Sequence, residues 1–396
     1  MTIAQTRPGH GCGPEDQSRS DDLEWLDEVL GFLDGPATIE YLGRPTAANL
    51  HLLVPTRPRV VATTALRRFD ADRSPAKLAA GYVGRLAARF GLLGHAPGVI
   101  VTLPPFELVE QLAGALGEPK LIASVTLGGR RRNRKPVLRL LTPSGRVVGF
   151  AKVGWSPLTT ALVANEGDVL QLVEGQLPAF IEAPRVILRQ PWRSGEVVVT
   201  SPLAAGSIVD RTRARARAPK PVDIALAIAA VDSTPIRPMV ELDLVDQWRI
   251  AGLHEQVDLD TVTDRHGETA LATGLWHGDL TPWNLLAKGS SVAVWDWEFG
   301  GRGRPVGFDA LHHLFESVRR SDDGTHRAAL EATITQAAEI LAPFGPIDGR
   351  AVDATVDLWI CELIARELRL DGQRWSGDQM AGLAGVAVEL LEPRLR

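Results

Sequence analysis

A chain of 396 residues is long enough for two or three structural units. Its net charge of −5 argues against nucleic acid as the main partner, and a hydrophobic fraction of 45% is ordinary for a soluble globular protein. Cys12 and Cys361 stand far apart, which leaves neither a disulfide framework nor a thiolate metal spacing and fits a reducing compartment.

The N-terminal residues lack the apolar core of a secretory signal, and no run of about 18 apolar residues occurs, so no membrane span is expected. Residues 1–20 are polar and contain Gly and Pro, a composition that predicts disorder. Leu23, Leu26, Leu30 and Leu33 recur at helical spacing and predict a helix over 21–33, ended by Gly35. Short β-type runs follow at 37–42, 50–54 and 60–64. Ser74-Pro75 reads as an N-cap and first-turn proline, and Leu78, Tyr82, Leu86 and Phe90 give an amphipathic helix. A further strand is expected at 99–102. Residues 21–117 read as an N-terminal accessory unit: a cap, a dimerisation element or a degenerate repeat of the strand-rich unit after it.

Strands are expected at 121–127, 137–141 and 147–153. The turn between the first two is basic and begins with Gly128 and Gly129. Glycine permits close backbone approach and arginine supplies charge, so this turn suits phosphate, although it is not a Gly-x-Gly-x-x-Gly loop. A solvated hairpin tip is an equal reading for each of its arginines. Lys152 lies on the third strand, and Ser156-Pro157 starts a helix just after it. On that helix Leu162, Glu166, Val169 and Val173 share one face, so Glu166 is a charge on an apolar stripe and needs a partner. Lys152 is the obvious one. A strand lysine held by a helix glutamate is the kinase device for the α- and β-phosphates of a nucleotide.

Further strands are expected at 180–184, 186–188 and 196–200 and a helix at 221–232, while Arg211, Arg213, Arg215 and Arg217 read as a solvated linker. The densest chemistry comes next, in Leu275-Trp-His-Gly-Asp-Leu-Thr-Pro-Trp-Asn-Leu-Leu286 and Val292-Ala-Val-Trp-Asp-Trp-Glu298. Pro282 makes the first stretch a loop. A strand from Leu285, a turn at 288–291 and a second strand ending at Asp296 would gather Asp279, Asn284 and Asp296 around one point. Phosphotransfer needs such groups: one carboxylate to take the acceptor hydroxyl proton, and an amide with a second carboxylate to hold Mg²⁺ on the phosphates. From about 305 the period is helical, with a loop flanked by Gly372 and Gly377 and a last helix ending near 392–393.

These residues resemble the aminoglycoside phosphotransferase and choline kinase-like family, the small-molecule relatives of protein kinases. That family carries His-Gly-Asp in its catalytic loop and Asp-x-Glu or Asp-x-Asp at the metal site, and the stretch from Gly303 to Asp309-Ala-Leu-His-His looks like its Gly-x-Pro…Asp-Leu segment. The resemblance covers roughly residues 118 to 390. It implies an α+β, two-lobed, protein kinase-like fold with an N-terminal α/β extension: a small lobe and hinge over 118–203 and a helical large lobe over 204–396. It also implies Asp279 as catalytic base, Asn284 and Asp296 as metal ligands, and Lys152 with Glu166, Gly128 and Gly129 at the nucleotide. The order of the elements puts Ser201 and Leu203 in the hinge beside the adenine. His277 and Asp309 are implied to brace the loop, and Trp295 and Trp297 to pack. Trp283 is placed for packing or for a substrate.

The implied activity is transfer of the γ-phosphoryl group of ATP or GTP, with Mg²⁺, to a hydroxyl of a small molecule: a sugar, amino sugar, aminoglycoside or amino alcohol. A cytoplasmic enzyme with no nucleic-acid or membrane partner is expected. A nucleotide-binding pseudokinase is the alternative, with protein phosphorylation and nucleotidyl transfer as lesser ones. Glu316, Asp322, Asp323 and Glu362 suit an amine-bearing acceptor or, more simply, a solvated face. Oligomeric state and acceptor stay open.

Overall fold

The computed structural model describes residues 15–46, 49–66, 75–128, 132–203, 218–321, 324–345, 348–371 and 382–396. By contacts the chain forms two compact units, Met1–Gly167 with Pro184–Ala205 and Asp168–Ala183 with Gly206–Arg396. The architecture is α+β.

Unit 1 begins with α1 (Glu15–Leu30), which starts inside the segment expected to be disordered and stops before Gly31 at φ +70°. The strands are β1 (Ile39–Thr46), β2 (Asn49–Pro55), β3 (Val99–Leu103), β4 (Ile122–Thr126), β5 (Val137–Leu141), β6 (Val147–Gly154), β8 (Val186–Trp192) and β9 (Gly195–Thr200). Among the described residues these form one antiparallel sheet in the order β3-β1-β2-β4-β5-β6-β9-β8. The segment read as an accessory unit is therefore the first part of the sheet: β2 joins β4 through Leu52↔Thr126 and Leu53↔Val125.

Alternation along the strands, interrupted in β2 by a bulge between Leu50 and Leu52, explains how both faces are covered. Tyr41, Leu50 and Leu53 point to one face, where Leu23, Leu26 and Leu30 of α1 meet Phe106, Leu108 and Leu112 on and beside α4 (Glu107–Ala115). Leu42, Leu52 and Val54 point to the other, onto Val61, Ala62 and Ala65. Those last residues belong to α2 (Arg59–Ala65), so the run expected as a strand at 60–64 is helical. Pro58 is pre-set in φ at its N-cap, and burial at positions 61, 62 and 65 suits a helix face, which outweighs β propensity. In α3 (Pro75–Phe90) the predicted apolar stripe lies outward: Tyr82 is 57% and Phe90 62% exposed. The helix packs on α2 through its small residues, with Gly84 beside Leu66 and Ala88 buried.

The helix α5 (Pro157–Val173) carries Glu166 in unit 1 and ends in unit 2. There β7 (Ile181–Glu182) runs parallel to β13 (Ser291–Val294), which pairs with β12 (Leu285–Lys288). The piece at 180–184 thus leaves the small lobe to which its order assigned it, because Val292 and Ala293 supply its ladder partners. A second sheet joins β10 (Thr234–Pro238), β11 (Ala270–Trp276) and β14 (Gly301–Pro305). The remaining helices are α6 (Pro221–Ala229), α7 (Leu244–Ile250), α8 (Leu259–His266), α9 (Phe308–Arg319), α10 (His326–Leu341), α11 (Gly349–Asp371) and α12 (Leu383–Leu395). Trp248, Phe308, Phe315 and Trp359 sit at their common core. The last helix passes through Pro393, beyond its expected end. No described helix is long and apolar enough to cross a membrane.

Candidate active site

In unit 1, β6 places Lys152 between Val137 of β5 and Val198 of β9. A central strand has little backbone freedom, so the lysine is aimed by the sheet. Its ammonium lies 2.7 Å from Oε1 and 2.6 Å from Oε2 of Glu166. Leu162, Glu166, Val169 and Val173 are all buried, so the glutamate does sit on the apolar face of α5. A buried carboxylate of this kind needs its cation: losing one partner leaves a charge uncompensated.

Gly128 follows β4 at φ +69° and is exposed, a conformation that favours glycine. Gly129 lies outside the described residues, as do Arg130, Arg131 and the four arginines at 211–217. Arg134, from the same basic turn, belongs to neither a phosphate cradle nor a solvated tip. It is buried against Asp22 of α1 at 2.8 Å, donates to the carbonyls of Leu50 and Leu127, and lies 4.4 Å over the Trp25 ring. Ser201 is drawn into the start of the β8–β9 ladder: its N–H donates to the carbonyl of Arg185 and its Oγ accepts from the Arg185 N–H. That spends the hinge donor expected there. Leu203 is half-buried and ends its described segment.

In unit 2, β11 delivers residues 277–284. Gly278 has φ +80°, and a Cβ there would stand 2.2 Å from the carbonyl oxygen of Phe299, so only glycine fits. Asp309, in the first turn of α9, accepts from the backbone N–H of His277 at 2.6 Å and of Gly278 at 3.0 Å. Burial pushes its carboxyl up to about 7, outweighing the two donors. His277 is buried too, and burial lowers it to about 4, so it is neutral. Its Nδ1 accepts from the Asp279 N–H at 3.2 Å, which leaves the proton on Nε2, 3.1 Å from the Trp295 carbonyl. Both ring nitrogens are occupied, so this histidine braces the loop.

Asp279 and Asn284 are tied directly. The Asn284 amide nitrogen donates to the Asp279 carbonyl at 2.9 Å and to its Oδ2 at 2.8 Å. Both partners are pure acceptors, so the amide orientation is fixed and Oδ1 is turned to other uses. The β12–β13 register, Leu285↔Val294, continues as the Trp295 N–H donating to the Asn284 carbonyl. Asn284 and Asp296 therefore flank the open end of one hairpin. Asp296 has φ +70°, a left-handed conformation uncommon outside glycine and typical of constrained functional positions. An amide oxygen and a carboxylate are hard oxygen donors, the set that Mg²⁺ takes.

Two residues at Asp279 were not singled out from the sequence. His312 of α9 places Nε2 3.2 Å from Asp279 Oδ1, and Arg366 of α11 lies 3.8 Å from the same oxygen while donating to the Gly278 carbonyl at 2.7 Å. Burial alone would raise the Asp279 carboxyl, but the His312 hydrogen bond and the Arg366 guanidinium hold it below its ordinary value. His313 donates from Nδ1 to the Leu280 carbonyl at 3.1 Å. His312 and His313 form a visible pair in sequence, three and four residues after Asp309, and that spacing was the available signal.

No protein-family model and no curated protein matches the chain. Solved structures do. Aminoglycoside phosphotransferase APH(4)-Ia, in a ternary complex with AMP-PNP and hygromycin B, aligns at TM-score 0.48 and 14% identity over 73% of this chain and 98% of that one. Aminoglycoside 2'-phosphotransferase-IIIa with GDP aligns at 0.42 and 14% over 72% and 96%. LicA with AMP aligns at 0.46 and 14% over 72% and 97%. The chain is similar to these three structures.

Proposed function

We propose that this protein is a small-molecule phosphotransferase that moves the γ-phosphoryl group of ATP or GTP to an acceptor hydroxyl. The observation that carries the reading is the Asp279–Asn284 bond pair, with Asp296 set beside Asn284 by the hairpin register. Asn284 Oδ1 and the Asp296 carboxylate would hold Mg²⁺, which neutralises phosphate charge when bound.

Asp279 would orient the acceptor. His312 and Arg366 face Oδ1, and Asn284 faces Oδ2, which leaves lone-pair capacity on a carboxylate that is still 21% exposed. A carboxylate held at low pKa is a weak base. It fits a reaction whose transition state is loose and whose proton moves late, so that aiming the hydroxyl matters more than removing its proton. Lys152, held by Glu166, would position the nucleotide phosphates.

The test is nucleoside-diphosphate release against a panel of hydroxyl acceptors, with mass spectrometry of the product. Asp279→Asn should lower kcat by about 10²–10⁴-fold, the usual range for a positioned acid–base group. Retained turnover would remove Asp279 from the mechanism. Asp296→Ala should weaken Mg²⁺-dependent nucleotide binding by calorimetry, and unchanged affinity would count against the metal assignment.

A further inference from the structure

Among the described residues, the two acidic residues of unit 2 that suit an amine-bearing acceptor, Glu316 and Glu362, are engaged. Glu316 is buried and bound by Arg319, from Nη2 at 2.5 Å and from Nε at 2.9 Å. Glu362 is buried among Arg369 at 2.5 Å, Arg304 at 3.4 Å and the Trp248 indole N–H at 2.9 Å. Neither forms the solvated face expected of it, and neither offers an unneutralised charge to a cation. Asp322 and Asp323 lie outside the described residues.

The basic groups are placed differently. One side of α9 follows the catalytic loop, touching Asp279 through His312, the Leu280 carbonyl through His313, and Trp283 through Arg320 at the helix C-cap. The Arg320 guanidinium lies 3.8 Å from the centroid of the Trp283 ring. Trp283 is half-buried and Arg320 exposed. Stacking fixes a side chain that would otherwise be mobile, yet it uses the face of the guanidinium and leaves its N–H edge for a planar anion. Among the described residues no carboxylate pairs with that edge. From His312 to Arg320 the helix rises roughly 12 Å, and Arg320 is held on Trp283, four residues after Asp279 in the catalytic loop.

We infer that Arg320, laid on Trp283, is an anion-recognising arm of the acceptor subsite, and that the acceptor is a hydroxyl compound bearing a carboxylate or phosphate. This deepens the phosphotransfer reading and rests on it. Arg366, beside Asp279, adds to the same positive field, which offsets the repulsion between an anionic acceptor and a nucleotide.

The experiment compares kcat/KM for four hydroxyl compounds matched in length, ending in a carboxylate, a phosphate, a neutral hydroxyl or an amine. The wild-type chain should prefer one of the two anions, and the two arms separate carboxylate from phosphate. Arg320→Gln should raise KM for the preferred anion roughly 10- to 100-fold, the worth of charge-assisted hydrogen bonds, and leave the neutral compound nearly unchanged. Arg320→Glu should move the preference toward the amine. A wild-type preference for the amine or the neutral compound, or an equal loss on all four, overturns the acceptor assignment alone. If none of the four takes phosphate, the phosphotransfer reading falls and the assignment with it.

Discussion

Asp279 is held by residues from three parts of the chain, and each can be tested by what it leaves behind. His312→Ala should lower kcat with little change in nucleotide KM, because the histidine aims Oδ1 and does not touch phosphate; His312→Gln, which keeps a side-chain N–H, should recover part of the loss. A fall in nucleotide affinity equal to the fall in kcat would instead mark a general disruption. Asp309 makes a pH prediction. Its folded carboxyl holds a proton up to about pH 7, whereas an unfolded aspartate releases it near 3.8. The folded state therefore binds the extra proton between those values, and this contribution to stability fades as pH rises through the window. Thermal melts from pH 4 to pH 8 should show that slope, and Asp309→Asn should flatten it. Asp279, Asn284 and Asp296 were legible in the sequence because one loop and one hairpin carry all three. His312 and Arg366 reach Asp279 from separate helices, and only tertiary packing brings them there.

At the scale of elements, periodicity found most helices and strands but could not assign their neighbours. The Val60–Thr64 run has β-branched residues and still folds as α2, because its buried positions repeat at helical spacing under the sheet. Residues 181–182 have too little pattern to announce a parallel partner 111 residues on, at Val292 and Ala293. The attachment of α1 shows what such long-range choices are worth. Asp22 meets Arg134 at 2.8 Å and also accepts from the Leu50 N–H, with side-chain exposures of 2% and 9% for the ion pair. Asp22→Ala should destabilise unit 1 by about 3–5 kcal/mol, since a buried arginine loses its counter-charge. Denaturant melts would reveal it as a lower midpoint.

For the whole molecule, composition and motif order anticipated an α+β chain but set residues 21–117 apart as an accessory unit, whereas their strands belong to the same sheet as those that follow. Nothing in a strand's own sequence says whether the next strand in space is its neighbour in the chain, and β2–β4 is a pairing of that unannounced kind. Its consequence concerns solubility. The residues 49–55 act as a seal, giving β4 a mate on the side that would otherwise be a bare row of amides and carbonyls. A chain starting at residue 118 would present that row to other molecules, flanked by the apolar Leu121, Ile122, Ala123 and Val125, and such an edge recruits strands from any chain it meets. Size-exclusion chromatography of the shortened chain should therefore find aggregates where the full chain elutes at a defined size. What reads in sequence as an appendage to a kinase is, for this sheet, its protection against its own kind.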